Sequence, residues 1–149
     1  MKLFLVHHGD AVGPEVDARR PLSAPGREHV ERLAAEAAAR GMKPEIVWHS
    51  GKLRARQTAE AFWRTCNALA DFSATKDLQP DDPPSWMADR LRGEARDLLI
   101  TGHFPYLPRL LAVLVPSAQG AGGSFPLHGV VALETTDAGE SWHELWRIE

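Results

Sequence analysis

Four apolar residues near the start of the chain lead directly into two histidines and a glycine. Residues 3–6 are too few to show a helical period, so they predict a buried strand of a parallel sheet. His7 and His8 stand at the carboxyl end of this strand, and Gly9 allows a turn that a residue with a Cβ atom would resist. Because open α/β sheets bind ligands at the carboxyl ends of their strands, these histidines are candidates for chemistry, although a histidine there is more often structural.

A short apolar strand that ends in a histidine and a turn occurs twice more along the chain. The strand predicted over residues 46–49 ends in His49 and is followed by Ser50, and the strand predicted over residues 97–101 is followed closely by His103. If these strands are parallel neighbours, their carboxyl ends meet at one edge of the sheet.

Helical and polar stretches fill the rest of the chain. Ser23 is expected to cap a helix that ends at Gly41. Residues 11–21 and 117–124 read as loops, and the second is expected to be a mobile surface loop. The other predicted elements are helices over residues 53–66, 86–91 and 105–114, a strand over residues 74–78, and a hairpin of strands over residues 129–134 and 141–148. This alternation predicts the α/β class, with three layers (α/β/α) and a mostly parallel sheet that ends in a C-terminal hairpin.

Length and composition fit one ordinary globular domain, which we expect to span residues 1–149. The 17 basic and 20 acidic residues give a net charge of −3, so we expect neither a nucleic acid nor a membrane as partner. The apolar run before His7 is too short for a signal peptide or a membrane span. The single cysteine, Cys66, indicates a reducing compartment and a structural thiol, so a cytoplasmic location is predicted.

The three strand ends, together with the helices that follow them, predict an anion site. Helix amino termini supply unpaired N–H groups and partial positive charge. Arg54, in the first turn of its predicted helix, adds a planar fork that matches phosphate oxygens. We therefore expect phosphoryl chemistry with no metal and no cofactor.

A metal site built from the same histidines is the competing interpretation. Two observations oppose it. Adjacent strand residues such as His7 and His8 point to opposite faces of a sheet. No cluster of carboxylates or thiols lies near them in the sequence.

Four sequence blocks resemble, in order, those of one known family. The blocks are residues 6–11, residues 20–23 with Gly26, Ser50 with residues 53–58, and residues 101–105. They are similar to the signature of the histidine phosphatase superfamily, also called phosphoglycerate mutase-like, and to its small SixA-type branch of phosphohistidine phosphatases. The resemblance covers nearly the whole chain and implies the phosphoglycerate mutase-like fold and a metal-independent phosphatase that acts on phosphohistidine in a protein or on a small phosphoester.

The resemblance also implies a role for individual residues. His8 would be the nucleophile, whose ring nitrogen takes the phosphoryl group before water removes it. Arg54 and His103 match the second arginine and the second histidine of the family, which hold the phosphoryl oxygens. Arg20 and Gly9 are expected at the phosphate as well, although Arg20 fits a solvated loop position equally.

His7 stands where the family has an arginine, and this departure sets the main alternative. Arginine is a permanent cation, whereas histidine is mostly neutral at neutral pH. Three outcomes are open. Bound phosphate protonates His7, or Arg20 or His49 supplies the missing positive charge. In the third outcome, the site binds phosphate without turning it over. The third outcome describes a catalytically impaired module that binds phosphate or phosphohistidine. A leaving-group acid is not evident either, because Asp81 and Asp82 read as solvated loop residues.

Overall fold

The computed structural model describes residues 1–119 and 125–149 and contains one six-stranded sheet between two layers of helices. The strands are β1 (Lys2–His7), β2 (Ile46–His49), β3 (Asp71–Ala74), β4 (Leu98–Gly102), β5 (Val130–Glu134) and β6 (His143–Ile148). The helices are α1 (Ala24–Ala39), α2 (Leu53–Cys66), α3 (Pro84–Arg92) and α4 (Tyr106–Leu114), with a short 3₁₀ helix at Pro116–Gln119.

The strand order in the sheet is β3-β2-β4-β1-β5-β6. The first four of these strands are parallel, whereas β5 runs antiparallel to β1 and β6 antiparallel to β5. In the register, His7 lies beside Gly102 and His49 beside Thr101, so the carboxyl ends of β1, β4 and β2 lie next to one another. The predicted α/β class with a mostly parallel sheet and a C-terminal hairpin is confirmed.

The alternating side chains of β1 explain why both faces of the sheet are covered. Leu3 and Leu5 belong to a buried cluster with residues of α3 and α4, while Phe4 and Val6 belong to a second cluster with residues of α1 and α2. All four side chains are at most 2% exposed. A strand that is apolar on both faces therefore requires helices on both faces, which is the three-layer arrangement.

Two of the predicted elements differ from the structure. The strand expected over residues 74–78 is Asp71–Ala74 instead. Three of the four side chains of this edge strand are exposed and two are polar, so it gives little apolar signal, whereas Leu78 is fully buried from a loop. The predicted helix over residues 86–91 begins earlier, at Pro84, where a proline suits the first turn.

Two further sequence-based expectations concern loops and membranes. The loop expected over residues 117–124 begins inside the short 3₁₀ helix, and residues 120–124 lie outside the described part of the chain. Within that described part, no helix is both long enough and apolar enough to cross a membrane.

Candidate active site

Four of the predicted site residues meet at the carboxyl edge of the sheet. His7 ends β1 and His8 follows it, His103 follows β4, and Arg54 lies in the first turn of α2. The ring centroids of His8 and His103 are 5.1 Å apart, and those of His7 and His8 are 4.5 Å apart. The charge of Arg54 is close enough to lower the pKa of all three histidines. The convergence expected from the strand order is therefore present.

The ring of His8 is held so that one nitrogen keeps a free lone pair. Its Nδ1 lies 2.7 Å from the carbonyl oxygen of Gly9, and because a carbonyl only accepts, Nδ1 carries the proton. The other nitrogen, Nε2, is then unprotonated. Burial lowers the pKa of His8 to about 4, against the opposing effect of the Gly9 hydrogen bond. At neutral pH the ring is therefore uncharged, and the lone pair of Nε2 is available.

Arg54 offers a buried donor that nothing in the described chain satisfies. Its Nε is buried and has no hydrogen-bond partner in residues 1–119 and 125–149. Burial, and then the charge of Arg20, lower its pKa. Since buried polar groups in folded proteins are almost always paired, an unpaired guanidinium nitrogen beside His8 fits a site made for an anion.

His103 is held from the side by the residue that follows β2. Its Nε2 lies 2.6 Å from the hydroxyl of Ser50, and the ring is only 2% exposed. Its Nδ1 is buried and, among the described residues, has no partner. Burial, followed by the proximity of His8 and Arg54, lowers the pKa of His103 to about 3. The site thus contains a second buried nitrogen without a partner.

His7 is fixed in one neutral tautomer. Its Nδ1 accepts a hydrogen bond from the backbone N–H of His128 at 2.8 Å, so the proton of the neutral ring sits on Nε2. The ring stacks between Phe104, at 4.0 Å, and His128, at 4.9 Å. Burial lowers its pKa to about 3. His7 therefore provides an N–H donor without a positive charge.

His128 is a site residue that the sequence analysis missed. It lies in the loop before β5 in the left-handed region, with φ of 52°, and its Nδ1 donates to the backbone oxygen of His8 at 2.7 Å. The sequence signal that could have found His128 is its position along the chain. His128 stands just before an apolar run, residues 130–133, that pairs with β1, so it reaches the edge where His8 lies.

Of the two residues expected to compensate for His7, only one is near the site. Arg20 donates from Nε to the carbonyl of Val12, and its charge lowers the pKa of Arg54 and of His8. The ring of His49 instead packs against Phe72, and its Nδ1 accepts the backbone N–H of Gly51.

Gly9 has a packing role, and its N–H is not free for phosphate. This N–H donates to the hydroxyl of Thr58, which in turn donates to the backbone oxygen of Arg54. A Cβ on Gly9 would lie 2.5 Å from Cγ2 of Val30. The glycine therefore lets α1 approach the end of β1, and its predicted contact with phosphate has no available backbone donor.

The second sequence block ties the start of α1 to the loop after β1. Ser23 caps α1 by accepting the N–H of Gly26 and donates to the carboxylate of Asp10. A Cβ on Gly26 would overlap the backbone oxygen of Asp10. These residues therefore position α1 against the loop that follows β1.

The geometric argument against a metal site is wrong. His7 is the last residue of β1 and His8 lies beyond it, so their rings do not point to opposite faces. His7, His8 and His128 each place one ring nitrogen within 4.8 Å of the other two.

Comparisons with known proteins agree with this architecture. No protein-family model matches the chain, and no curated protein sequence matches it significantly. The structure of the protein histidine phosphatase SixA complexed with tungstate is similar, with a TM-score of 0.85 and 24% identity, covering 99% of this chain and 96% of that chain. A structure assigned to SixA of Agrobacterium tumefaciens has a TM-score of 0.79 and 21% identity, covering 99% and 97%.

A more distant similarity extends the comparison. Phosphoglycerate mutase from Plasmodium falciparum has a TM-score of 0.73 and 15% identity, covering 97% of this chain and 88% of that chain. The chain therefore has the phosphoglycerate mutase-like fold, as the sequence blocks imply.

Proposed function

We propose that this chain is a metal-independent phosphatase of the SixA type, which carries the phosphoryl group on His8. One observation supports it above all. A buried guanidinium nitrogen of Arg54, which finds no partner in the described part of the chain, lies beside a histidine whose Nε2 lone pair is free. The fold of SixA, whose structure holds the oxyanion tungstate, supports the same proposal.

The reaction proceeds by two displacements at phosphorus. Nε2 of His8 forms a bond to phosphorus as the bond to the leaving group breaks, and water then breaks the new N–P bond and releases phosphate. Arg54 and the unpaired Nδ1 of His103 hold the phosphoryl oxygens while charge builds on them. In a phosphohistidine substrate the leaving nitrogen takes its proton from solvent. The carboxylate of Asp82 accepts the backbone N–H of Gln79, which gives this residue a structural role in its loop.

The tautomer of His7 supports slow turnover rather than none. Its Nε2–H contributes a hydrogen bond where the family arginine would contribute a charged pair, and neutral hydrogen bonds are roughly half as strong as charge-assisted ones. The same lack of charge favours the second candidate function, a module that binds phosphate or phosphohistidine without turning it over.

A phosphorylated protein is the substrate class that we propose. Between β3 and β4 the chain has only the short helix Pro84–Arg92, with no larger insertion to roof the site. Leu127, next to His128, is 60% exposed and adds an apolar contact at the rim. A small phosphoester remains the alternative substrate. A cytoplasmic location and a single domain over residues 1–149 are part of the same proposal, as is the absence of nucleic-acid and membrane partners.

The decisive experiment traps the phosphoenzyme. The protein is mixed with a peptide that carries phosphohistidine, quenched in alkali and mapped by mass spectrometry for acid-labile phosphate, with His8→Ala as the control. Label on His8 that appears and then decays supports the phosphatase. Binding of phosphate with no label and no release of phosphate rejects it in favour of the binding module.

A further inference from the structure

We propose that His8, His128 and His7 form a site for a divalent transition metal ion of the zinc, nickel and copper class. Each offers one ring nitrogen, and these three nitrogens lie within 4.8 Å of one another. Ligand nitrogens around zinc lie about 2.0–2.1 Å from the ion, so modest side-chain movement brings the three rings into coordination distance.

Two of the rings already have the hydrogen bonds that metal-binding histidines use. The Nδ1–H of His8 donates to the carbonyl of Gly9, and the Nδ1–H of His128 donates to the carbonyl of His8, both at 2.7 Å. Such bonds fix the tautomer and leave the Nε2 lone pair for a metal. His8 and His128 are therefore the principal ligands.

His7 is the third and weaker ligand. Its Nδ1 now accepts the backbone N–H of His128, so coordination through Nε2 requires that hydrogen bond to break and the ring to change tautomer. An arginine at this position would instead place a permanent cation in the site, and it has no lone pair to offer. His7 and His128 thus complete a set of three imidazole ligands with His8.

The donor set selects the class of metal. Among the described residues the cluster contains imidazoles and no carboxylate, which suits zinc, nickel or copper rather than magnesium or calcium. The nearby charges of Arg54 and Arg20 oppose a cation, so binding is expected to be weaker than at a structural zinc site. They also favour an anion as the remaining ligand.

Metal binding would block the chemistry proposed for His8. A metal on Nε2 uses the lone pair that attacks phosphorus, so an occupied site cannot form phosphohistidine. This consequence rests on the proposed function, whereas the metal site itself does not.

Calorimetric titration of the metal-stripped full chain tests the site directly. With zinc chloride we expect one ion per chain, and with magnesium chloride no binding. His8→Gln and His128→Asn should each weaken zinc binding at least tenfold, and His7→Gln less. Asparagine is chosen at position 128 because it tolerates the left-handed backbone there. His143→Gln, which removes an exposed histidine of β6, is the matched control and should bind as the parent chain does.

Two results would overturn the proposal. One is the absence of zinc binding throughout the millimolar range. The other is unchanged affinity in a folded His128→Asn chain, which would place the zinc elsewhere. Because no substrate is present, a failed phosphoenzyme trap leaves this result untouched. If the chain both binds zinc and forms phosphohistidine, zinc should abolish labelling of His8 and a chelator should restore it.

Discussion

Arg54 is the residue whose removal should cost most after His8. Its Nε has no protein partner among the described residues, so the Arg54→Ala change removes a donor that substrate alone would satisfy. Losing one such donor typically costs about 2.7–4 kcal/mol of transition-state stabilisation, so kcat should fall at least a hundredfold. Arg56→Ala is the control, since Arg56 is exposed on the same helix and pairs with Glu60. A loss of tenfold or less in Arg54→Ala places Arg54 outside the site.

Restoring the family arginine at position 7 should raise kcat and weaken the fold. Arginine adds a charge to the phosphoryl contact, but it has no lone pair with which to accept the backbone N–H of His128. The partly buried N–H of His128 then loses its partner, so urea unfolding should show a loss of about 1 kcal/mol. His7→Gln, which stays neutral, should show no gain in rate. A folded His7→Arg chain with an unchanged or lower kcat would show that the missing charge does not limit turnover.

The residue scale also shows why some of the site was predictable and some was not. His8 and His103 follow strands that are buried on both faces, and such strands are visible as short apolar runs. His128 lies just before β5 and reaches His8 only because β5 pairs with β1 across more than a hundred residues. His49 ends a visible strand, yet its ring turns to the Phe72 side, a choice that local sequence does not encode.

At the scale of elements, the contact between α1 and the end of β1 holds His8 in place. Gly9 lies where a Cβ would come 2.5 Å from Cγ2 of Val30, so Gly9→Ala must push α1 and the strand end apart. Overpacking of this kind typically costs about 1–3 kcal/mol, measured by urea unfolding. Because His8 directly precedes Gly9, kcat should fall too. Gly93→Ala, whose Cβ would meet only an ordinary contact of 3.7 Å, is the control, and equal effects of the two changes would refute this packing role.

The turn between β2 and α2 differs from the family that the sequence blocks resemble. That family has a proline where this chain has Gly51, and the φ of Gly51 is +93°. Proline cannot adopt that angle, so the chain enters α2 by a different local path. Arg54 still reaches the site because Ser50 remains bonded to His103 and Thr58 to Gly9. The sequence blocks predicted α2 and its arginine, but not this path.

At the scale of the whole molecule, the buried histidines should make folding stability depend on pH. Burial lowers the pKa of His7 and His103 to about 3 and that of His8 to about 4, whereas the unfolded chain takes up these protons near 6.5. The unfolded state therefore binds more protons between these values. The contribution of these histidines to the free energy of unfolding is fully present above about pH 6.5. It is lost as the pH falls towards their pKa values in the folded chain.

Urea unfolding at about pH 7 and about pH 5 measures this loss, which should be on the order of 1 kcal/mol per pH unit for each buried ring. His7→Gln should reduce the pH dependence of the free energy of unfolding by the contribution of one histidine. His143→Gln, at an exposed position, should leave it unchanged. A slope that is unchanged in His7→Gln would mean that His7 does not resist protonation in the folded chain.

The last prediction separates a protein substrate from a small one. Leu127 is 60% exposed and adjoins His128, so it lies where a bound phosphoprotein would cover it and a free phosphorylated amino acid would not reach. Leu127→Lys should therefore lower kcat/KM several-fold for a histidine-phosphorylated protein and leave that for free phosphohistidine unchanged.

Leu69→Lys is the matched control for that change. Leu69 is 94% exposed but stands just before β3, at the amino edge of the sheet, away from the histidines. Its change adds the same charge to a chain of net charge −3, so any general electrostatic effect on docking is common to both variants. If both substrates lose kcat/KM equally in Leu127→Lys, the residue acts through His128, and the open edge does not recognise a protein.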